Sequence, residues 1–187
     1  MNSKKLVVAV LDTNVIFPIV IRDILFWFAH FDIYKPKWTA DIFNEWKRVM
    51  LQKGVDIKAA EKRMKMAETA FPFARVDNYS KIISQLTLPD ANDRHILAAA
   101  IKAKASIIVT NNNKDFPKKY LARFGINVQT PDMFLNGLMV ENPLLCVQAF
   151  KEMVLNKRQP VRTEREMLQI LHHAGIVNTA KSIEKLL

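Results

Sequence analysis

Two aspartates follow apolar runs of the chain in positions where a carboxylate could do chemistry. Asp12 comes directly after the run Val7–Leu11, and Asp115 follows a second apolar run through the polar turn Thr110–Asn113. Ligands of an open parallel α/β sheet bind beyond the carboxyl ends of its strands. If both runs are strands of one such sheet, the two carboxylates face one crevice. Because Asp is also common in turns after strands, a turn or capping role is the alternative for each.

Two further carboxylates lie on predicted helices. Glu45 is on the border of the apolar stripe of helix 40–53, so it faces the core side and needs a partner. An exposed ion pair with Arg48, worth about 0.2–0.5 kcal/mol, is the structural alternative. Asp93 lies in the first turn of a helix whose body is almost entirely apolar. Capping explains the neighbouring Asp90 well and Asp93 only in part.

Carboxylates gathered at a partly buried site repel one another, so such a site needs a bound cation or raised pKa values. Oxygen donors alone favour Mg²⁺ or Mn²⁺. Zinc is not expected, because His30 and His95 are isolated, and His172 and His173 are adjacent on a helix and cannot face one ion together. The residues considered for the metal site are Asp12, Glu45, Asp93 and Asp115.

The elements that would position these residues alternate along the chain as far as about residue 140. Short β-branched runs predict strands at 6–11, 106–109 and 126–129, and more weakly at 73–76. Helical patterns lie between them, which predicts an α/β fold with a parallel sheet covered by helices. The predicted helices are 18–30, 40–53, 57–70, 78–86, 91–104, 117–124 and 131–139. Thr39, Asp77 and Asp90 are each placed to cap a following helix.

After Glu141 only helical segments are predicted, at 142–156, 164–174 and 178–187. Thr163 to Glu166 form a capping box, and Gly175 is a helix terminator. We therefore expect a main domain at 1–140 and a small all-α C-terminal extension at 141–187. The last two helices have the spacing of a helix-turn-helix, but their apolar stripes favour a hairpin packed against the main domain. The stripe of the last helix is Ala180, Ile183 and Leu187.

Composition narrows the class of protein. The net charge of +10 favours a polyanionic partner such as a nucleic acid, since phosphates bind Lys and Arg with release of counterions. A solvated basic surface is the alternative. Cys146 is the single cysteine, which excludes an internal disulfide and fits a reducing compartment. The first apolar run ends at Asp12, too early for a signal peptide, and no later run is long enough to span a membrane. We expect a cytoplasmic protein.

Four motifs of the chain resemble those of the PIN-domain ribonucleases, and especially the toxins of VapBC-type toxin–antitoxin pairs. In order they are Leu11–Val15, Ile42–Trp46, Pro89–Ala100 and Val109–Pro117, and Gln129–Leu135 resembles the closing segment of the family. The resemblance covers about residues 5–138. The helices after Glu141 resemble an extension that one branch of these proteins carries.

The resemblance implies a PIN-like three-layer α/β/α fold with a central parallel sheet, and metal-dependent hydrolysis of RNA phosphodiester bonds. The implied metal ligands, and thereby catalytic residues, are Asp12, Glu45, Asp93 and Asp115, with Asp90, Thr110 and Asn112 in support. Asp93 or Asp115 acting as a general base is an alternative. Arg94 and His95 could hold RNA phosphate or could be solvated helix positions. The implied partners are RNA and a cognate antitoxin, and a homodimer stays open.

Three other classes fit less well. A phosphatase of the haloacid-dehalogenase type needs a second carboxylate where this chain has Asn14. A dinucleotide-binding protein needs clustered glycines, whereas Gly54, Gly125, Gly137 and Gly175 are scattered. The main alternative is a catalytically silent PIN-fold protein that binds RNA or a partner, and the four intact carboxylates disfavour it.

Overall fold

A four-stranded parallel sheet lies at the centre of the protein, with strand order β2-β1-β3-β4. A computed structural model of the chain describes residues 6–187, so residues 1–5 of the predicted main domain lie outside the described residues. The strands are β1 (Val8–Leu11), β2 (Lys35–Lys37), β3 (Ile107–Val109) and β4 (Asn127–Gln129). With helices packed on the sheet, the predicted three-layer α/β/α architecture is confirmed.

The helices connect the strands and continue beyond them. They are α1 (Thr13–Ile16), α2 (Ile19–His30), α3 (Ala40–Gln52), α4 (Ile57–Ala70), α5 (Ser80–Ile83), α6 (Arg94–Lys102), α7 (Lys118–Leu121), α8 (Pro131–Glu141), α9 (Pro143–Leu155), α10 (Glu164–His173) and α11 (Val177–Glu184). Thr39 caps α3 as predicted, because its hydroxyl accepts the N–H of Ile42. The prediction for Asp77 is wrong. Helix α5 begins only at Ser80, and Asp77 accepts a hydrogen bond from Arg75 instead.

Strand β2 is the element that the sequence pattern does not predict. Lys35-Pro36-Lys37 has no β-branched residue, and it becomes a strand because it pairs with β1, with Ala9 opposite Pro36. The weak strand predicted at 73–76 is reduced to one bridge between Trp38 and Arg75. Whether residues 35–37 and 73–76 form strands therefore depends on pairing with a neighbouring strand, and local β propensity does not predict it.

The strand order places a crevice between the loops that leave the carboxyl ends of neighbouring strands. From β1 the chain crosses first to β2 on one side of the sheet and reaches β3, on the other side of β1, only later. Such a reversal separates the loops that follow the two strands and leaves room for a ligand. Helix α6 packs against both β1 and β3, and its body Ile96–Ala100 is completely buried. The start of α6 is thereby fixed close to this crevice.

The C-terminal helices pack closely against the preceding part of the chain. Helix α9 packs against α2 and α8, and α11 packs against α8 and α10. The buried carboxylate of Asp132 accepts hydrogen bonds from the backbone N–H and side chain of both Asn178 and Thr179, at 2.8–3.0 Å. Ala180 and Ile183 are buried as predicted. The third member of the predicted stripe is wrong, because Leu187 is 45% exposed.

Candidate active site

Asp12 is held at the carboxyl end of β1 by the loop that follows β3. Its backbone N–H donates to the carbonyl oxygen of Val109 at 3.1 Å. Its Oδ2 accepts hydrogen bonds from the Thr110 hydroxyl at 2.6 Å and from Asn14 Nδ2 at 2.5 Å. Burial is the main cause that raises the pKa of Asp12, the charge of Glu45 raises it further, and the hydrogen bond from Thr110 opposes them. Two neutral donors in a buried setting thus fix the position of the Asp12 carboxylate.

Glu45 is joined to the residue that follows Asp12. The hydroxyl of Thr13, which is buried at the start of α1, donates to Glu45 Oε2 at 2.9 Å. The guanidinium of Arg48 lies 3.9 Å from Glu45 Oε1 and is exposed. Both interpretations of Glu45 therefore describe part of its surroundings, one for each carboxylate oxygen. Oε2 is held by Thr13 inside the protein, and Oε1 faces the exposed Arg48.

Asp93 lies where a short 3₁₀ turn, Ala91–Asp93, passes into α6. It ends that turn and makes no cap hydrogen bond to α6, whereas Asp90 caps the turn by accepting the N–H of Asn92 at 2.8 Å. Asn112 Nδ2 donates to Asp93 Oδ2 at 3.3 Å. The pKa of Asp93 is raised to about 6, first by burial and then by the charges of four neighbouring carboxylates. These four are Asp12, Asp90, Asp115 and Glu45.

A polar pocket of about 550 Å³ joins most of these groups. It is lined by Asp12, Asn14, Asp41, Glu45, Arg48, Asp90, Asn92, Asp93, His95 and Asn112. Three of the four predicted ligands thus share one pocket. The fourth, Asp115, lies in the 3₁₀ turn Asn113–Asp115 outside the lining, although its charge raises the pKa of Asp93. Arg94 also lies outside, and its Nε donates to the carbonyl oxygen of Ala91.

The donor set of the pocket is suited to a hard divalent cation. Its acidic groups supply carboxylate oxygens, which Mg²⁺ and Mn²⁺ prefer, and their mutual repulsion would be relieved by positive charge. Over residues 6–187, no three His, Cys, Asp or Glu side chains stand close enough to hold one ion between them. The carboxylates therefore face one space without forming a finished ligand shell. His95 also lines the pocket, and burial lowers the pKa of its imidazole because it disfavours the charged form.

The predicted site omits two residues that hold it together. Thr13 supports Glu45, as described above. Asn14 donates to both Asp12 and Thr110, and its Oδ1 accepts the N–H of Asn111 at 2.9 Å. The available signal is their position directly after Asp12 in the motif Leu11–Val15, where two polar residues open a helix that is otherwise apolar.

Two family models and one curated protein are similar to parts of this chain. Residues 8–114 match the family model of the PIN domain, and residues 131–185 match that of the VapC50 C-terminal domain. Among curated proteins, "Putative ribonuclease VapC50" of Mycobacterium tuberculosis (strain ATCC 25618 / H37Rv) is 40% identical over 67 residues. The aligned stretch covers 36% of this chain and 37% of that protein. No solved structure matches the chain.

Within the described residues, none of the helices has the length and apolar character needed to cross a membrane.

Proposed function

The chain belongs to the PIN-domain family with a VapC50-type C-terminal extension, and from this premise we propose that it is a metal-dependent endoribonuclease that hydrolyses RNA phosphodiester bonds. The observation that carries the proposal is the polar pocket that Asp12, Glu45 and Asp93 all line, beside the carboxyl ends of β1 and β3. The raised pKa values of Asp12 and Asp93 are the expected signature of carboxylates assembled for a cation.

The proposed ligands are Asp12, Glu45, Asp93 and Asp115, with Mg²⁺ or Mn²⁺ as the cofactor. A divalent ion held there would lower the pKa of a water molecule and neutralise charge on the leaving oxygen. The residues of the chain supply orientation: Thr110 and Asn14 fix Asp12, and Thr13 fixes Glu45. Such supporting hydrogen bonds set the direction of metal-binding carboxylates.

The substrate phosphate needs positive charge at the rim of this acidic pocket. Arg48 supplies it on the side of Glu45, where its side chain is 68% exposed. His95 lines the pocket and is placed to contact the substrate as well, whereas Arg94 would have to break its hydrogen bond to Ala91. Hydrolysis forms a bond from water oxygen to phosphorus and breaks the bond to one ribose oxygen. A carboxylate beside the water accepts its proton, and Asp93 or Asp115 in that role is the alternative to a role as metal ligand.

A cleavage assay tests the proposal directly. Purified full-length chain is incubated with total RNA in Mn²⁺ or in EDTA, and the cut ends are mapped. We expect cleavage in Mn²⁺ that EDTA and Asp93→Asn both abolish. Asp56→Asn is the matched control, since Asp56 only caps the start of α4. Absence of metal-dependent cleavage by the wild type would favour the silent, RNA-binding or partner-binding alternative.

We further propose that the chain is a cytoplasmic toxin held in check by a cognate antitoxin protein. The support is the resemblance to VapBC toxins and the relative named VapC50, together with the net charge of +10. Residues 1–140 would form the nuclease domain, and 141–187 would cover it or bind the partner. Expression of the wild type alone should arrest growth, whereas expression of Asp93→Asn should not. Equal tolerance of both proteins would reject the toxin role and leave the nuclease proposal to the cleavage assay.

A further inference from the structure

The part of the chain between the start of α6 and the start of α8 is strongly basic. Residues 94–131 hold seven cationic side chains and one acidic side chain, Asp115. The cations are Arg94, Lys102, Lys104, Lys114, Lys118, Lys119 and Arg123. Among residues 6–187 none of the seven is in an ion pair, in contrast to Lys47 and Lys157, which each bind a carboxylate at 2.6–2.7 Å. With seven cations and one anion, the segment carries a net charge of +6 and takes part in no ion pair within residues 6–187.

Four of these cations follow one another along the chain after the loop that carries the pocket residue Asn112. We call Lys114, Lys118, Lys119 and Arg123 the cationic track, and all four are exposed. Lys114 adjoins Asp115, whose charge raises the pKa of Asp93 in the pocket. Lys119 and Arg123 are four residues apart on α7 and the 3₁₀ turn that continues it, so they lie on one face. At about 1.5 Å per residue, residues 118–124 extend the track by about 10 Å.

Aromatic rings accompany the track at its far end. The rings of Tyr120 and Phe124 meet edge to face with centroids 5.5 Å apart, and the guanidinium of Arg123 lies over the Tyr120 ring at 5.5 Å. The hydroxyl of Tyr120 accepts the N–H of Thr87, which fixes that ring. Phe124 is 39% exposed and borders a largely apolar cavity of about 280 Å³ that Lys104 also lines. Phosphate-binding charge and a stacking surface thus occur together.

We propose that the cationic track, with Phe124 and Lys104, binds a single-stranded segment of the RNA substrate that runs from the scissile phosphate, at the carboxyl ends of the strands, towards the amino ends of β3 and β4. Backbone phosphates would contact the track, and an unstacked base would lie against Phe124 beside the cavity. A single strand is favoured over a duplex, because only an unpaired base can leave its stack to meet an aromatic ring. The choice of RNA as the ligand rests on the proposed function.

Binding measured without cleavage separates this inference from the nuclease proposal. A fluorescein-labelled single-stranded RNA of about 12 nucleotides and mixed sequence is titrated with the full-length chain in EDTA, and anisotropy is recorded at several salt concentrations. The test variant is Lys119→Gln/Arg123→Gln. The matched control is Lys58→Gln/Lys62→Gln, which removes two exposed cations with the same spacing on α4. Phe124→Leu tests stacking.

The test variant should bind at least tenfold more weakly, with the slope of log K against log salt reduced by about 1.4, since each phosphate contact to a single strand contributes about 0.7. Phe124→Leu should bind about tenfold more weakly with an unchanged salt slope. The control should change affinity less than about twofold, and a duplex of the same length should bind more weakly. Equal losses of RNA affinity in the test and control variants, or tighter binding of the duplex than of the single strand, would overturn the proposal that the cationic track binds single-stranded RNA. A wild type that binds through the track but never cleaves RNA would reject only the nuclease proposal.

Discussion

Replacing Asp93 by Asn should stabilise the metal-free protein above neutral pH. The pKa of Asp93 is about 6 in the folded protein, against a usual value of 3.8, and burial is the first cause. Between about pH 4 and pH 6 the folded state therefore keeps a proton that the unfolded state has released. Stability contributed by this group consequently falls as the pH rises through that window, and the loss is complete above it. Asn keeps an acceptor for Asn112 and removes the charge.

The size of the effect follows from the two pKa values. At 1.36 kcal/mol per pH unit, the difference between 3.8 and about 6 corresponds to about 3 kcal/mol before solvent screening. Asp93 is only half-buried, so screening reduces the expected gain to about 1 kcal/mol. For a chain of 187 residues this corresponds to a rise in Tm of about 2–4 °C.

Thermal unfolding in EDTA at about pH 4.5 and about pH 7.5 measures this gain. Asp93→Asn should melt above the wild type at the higher pH and close to it at the lower. Asp56→Asn should match the wild type at both values, because Asn and Asp cap a helix about equally well. Millimolar Mn²⁺ should raise the Tm of the wild type by mass action and that of Asp93→Asn much less. A destabilised Asp93→Asn at the higher pH, or a wild-type Tm indifferent to Mn²⁺, would refute the reasoning.

Three further changes test the supports of the site and the fold. Thr13→Val removes the hydroxyl that holds Glu45, so it should lower the rate of RNA cleavage at least tenfold in a metal-titrated assay; an unchanged rate would contradict that role. Asp132→Ala removes the shared acceptor of four donors of α11, of which the two on Thr179 are buried, and should cost about 2 kcal/mol, seen by denaturant unfolding and by faster hydrogen exchange confined at first to α11. Cys146 is fully buried with its pKa raised to about 12 by burial, so iodoacetamide at about pH 8 should label it only after unfolding.

Elements with a strong local signal are the part of the fold that the sequence predicts. The apolar run before Asp12 is a strand, and the caps at Thr39 and Thr163 begin helices, because each depends on residues within one turn or one run. Strand β2 depends instead on pairing with β1, which lies about one α/β unit earlier in the chain. The error at Asp77 has the same origin, since its carboxylate pairs with Arg75 and helix α5 begins later.

The candidate site also has a part that the sequence predicts and a part that it does not. Residue type and the position after a strand or on a helix mark Asp12, Glu45 and Asp93 as candidates, the family resemblance joins them into one predicted site, and all three line the pocket. Asp115 shows the limit of this reasoning: its position after β3 is as predicted, but the 3₁₀ turn keeps it outside the pocket lining. The direction in which a turn presents a side chain depends on backbone angles over several residues. Spacing in the sequence carries little information about those angles.

Asn14 explains why the site depends on the whole fold. Its amide group bonds to Asp12, to Thr110 and to the backbone of Asn111, across a sequence separation of 96–97 residues for the latter two. These bonds can form only when β1 and β3 are neighbours in register, with Leu11 opposite Val109. The pairing of the two strands therefore fixes the orientation of the Asp12 carboxylate, and repulsion among the carboxylates acts against the same pairing. A cation that relieves the repulsion would strengthen strand pairing and site geometry together, which is why metal binding and thermal stability should change in parallel.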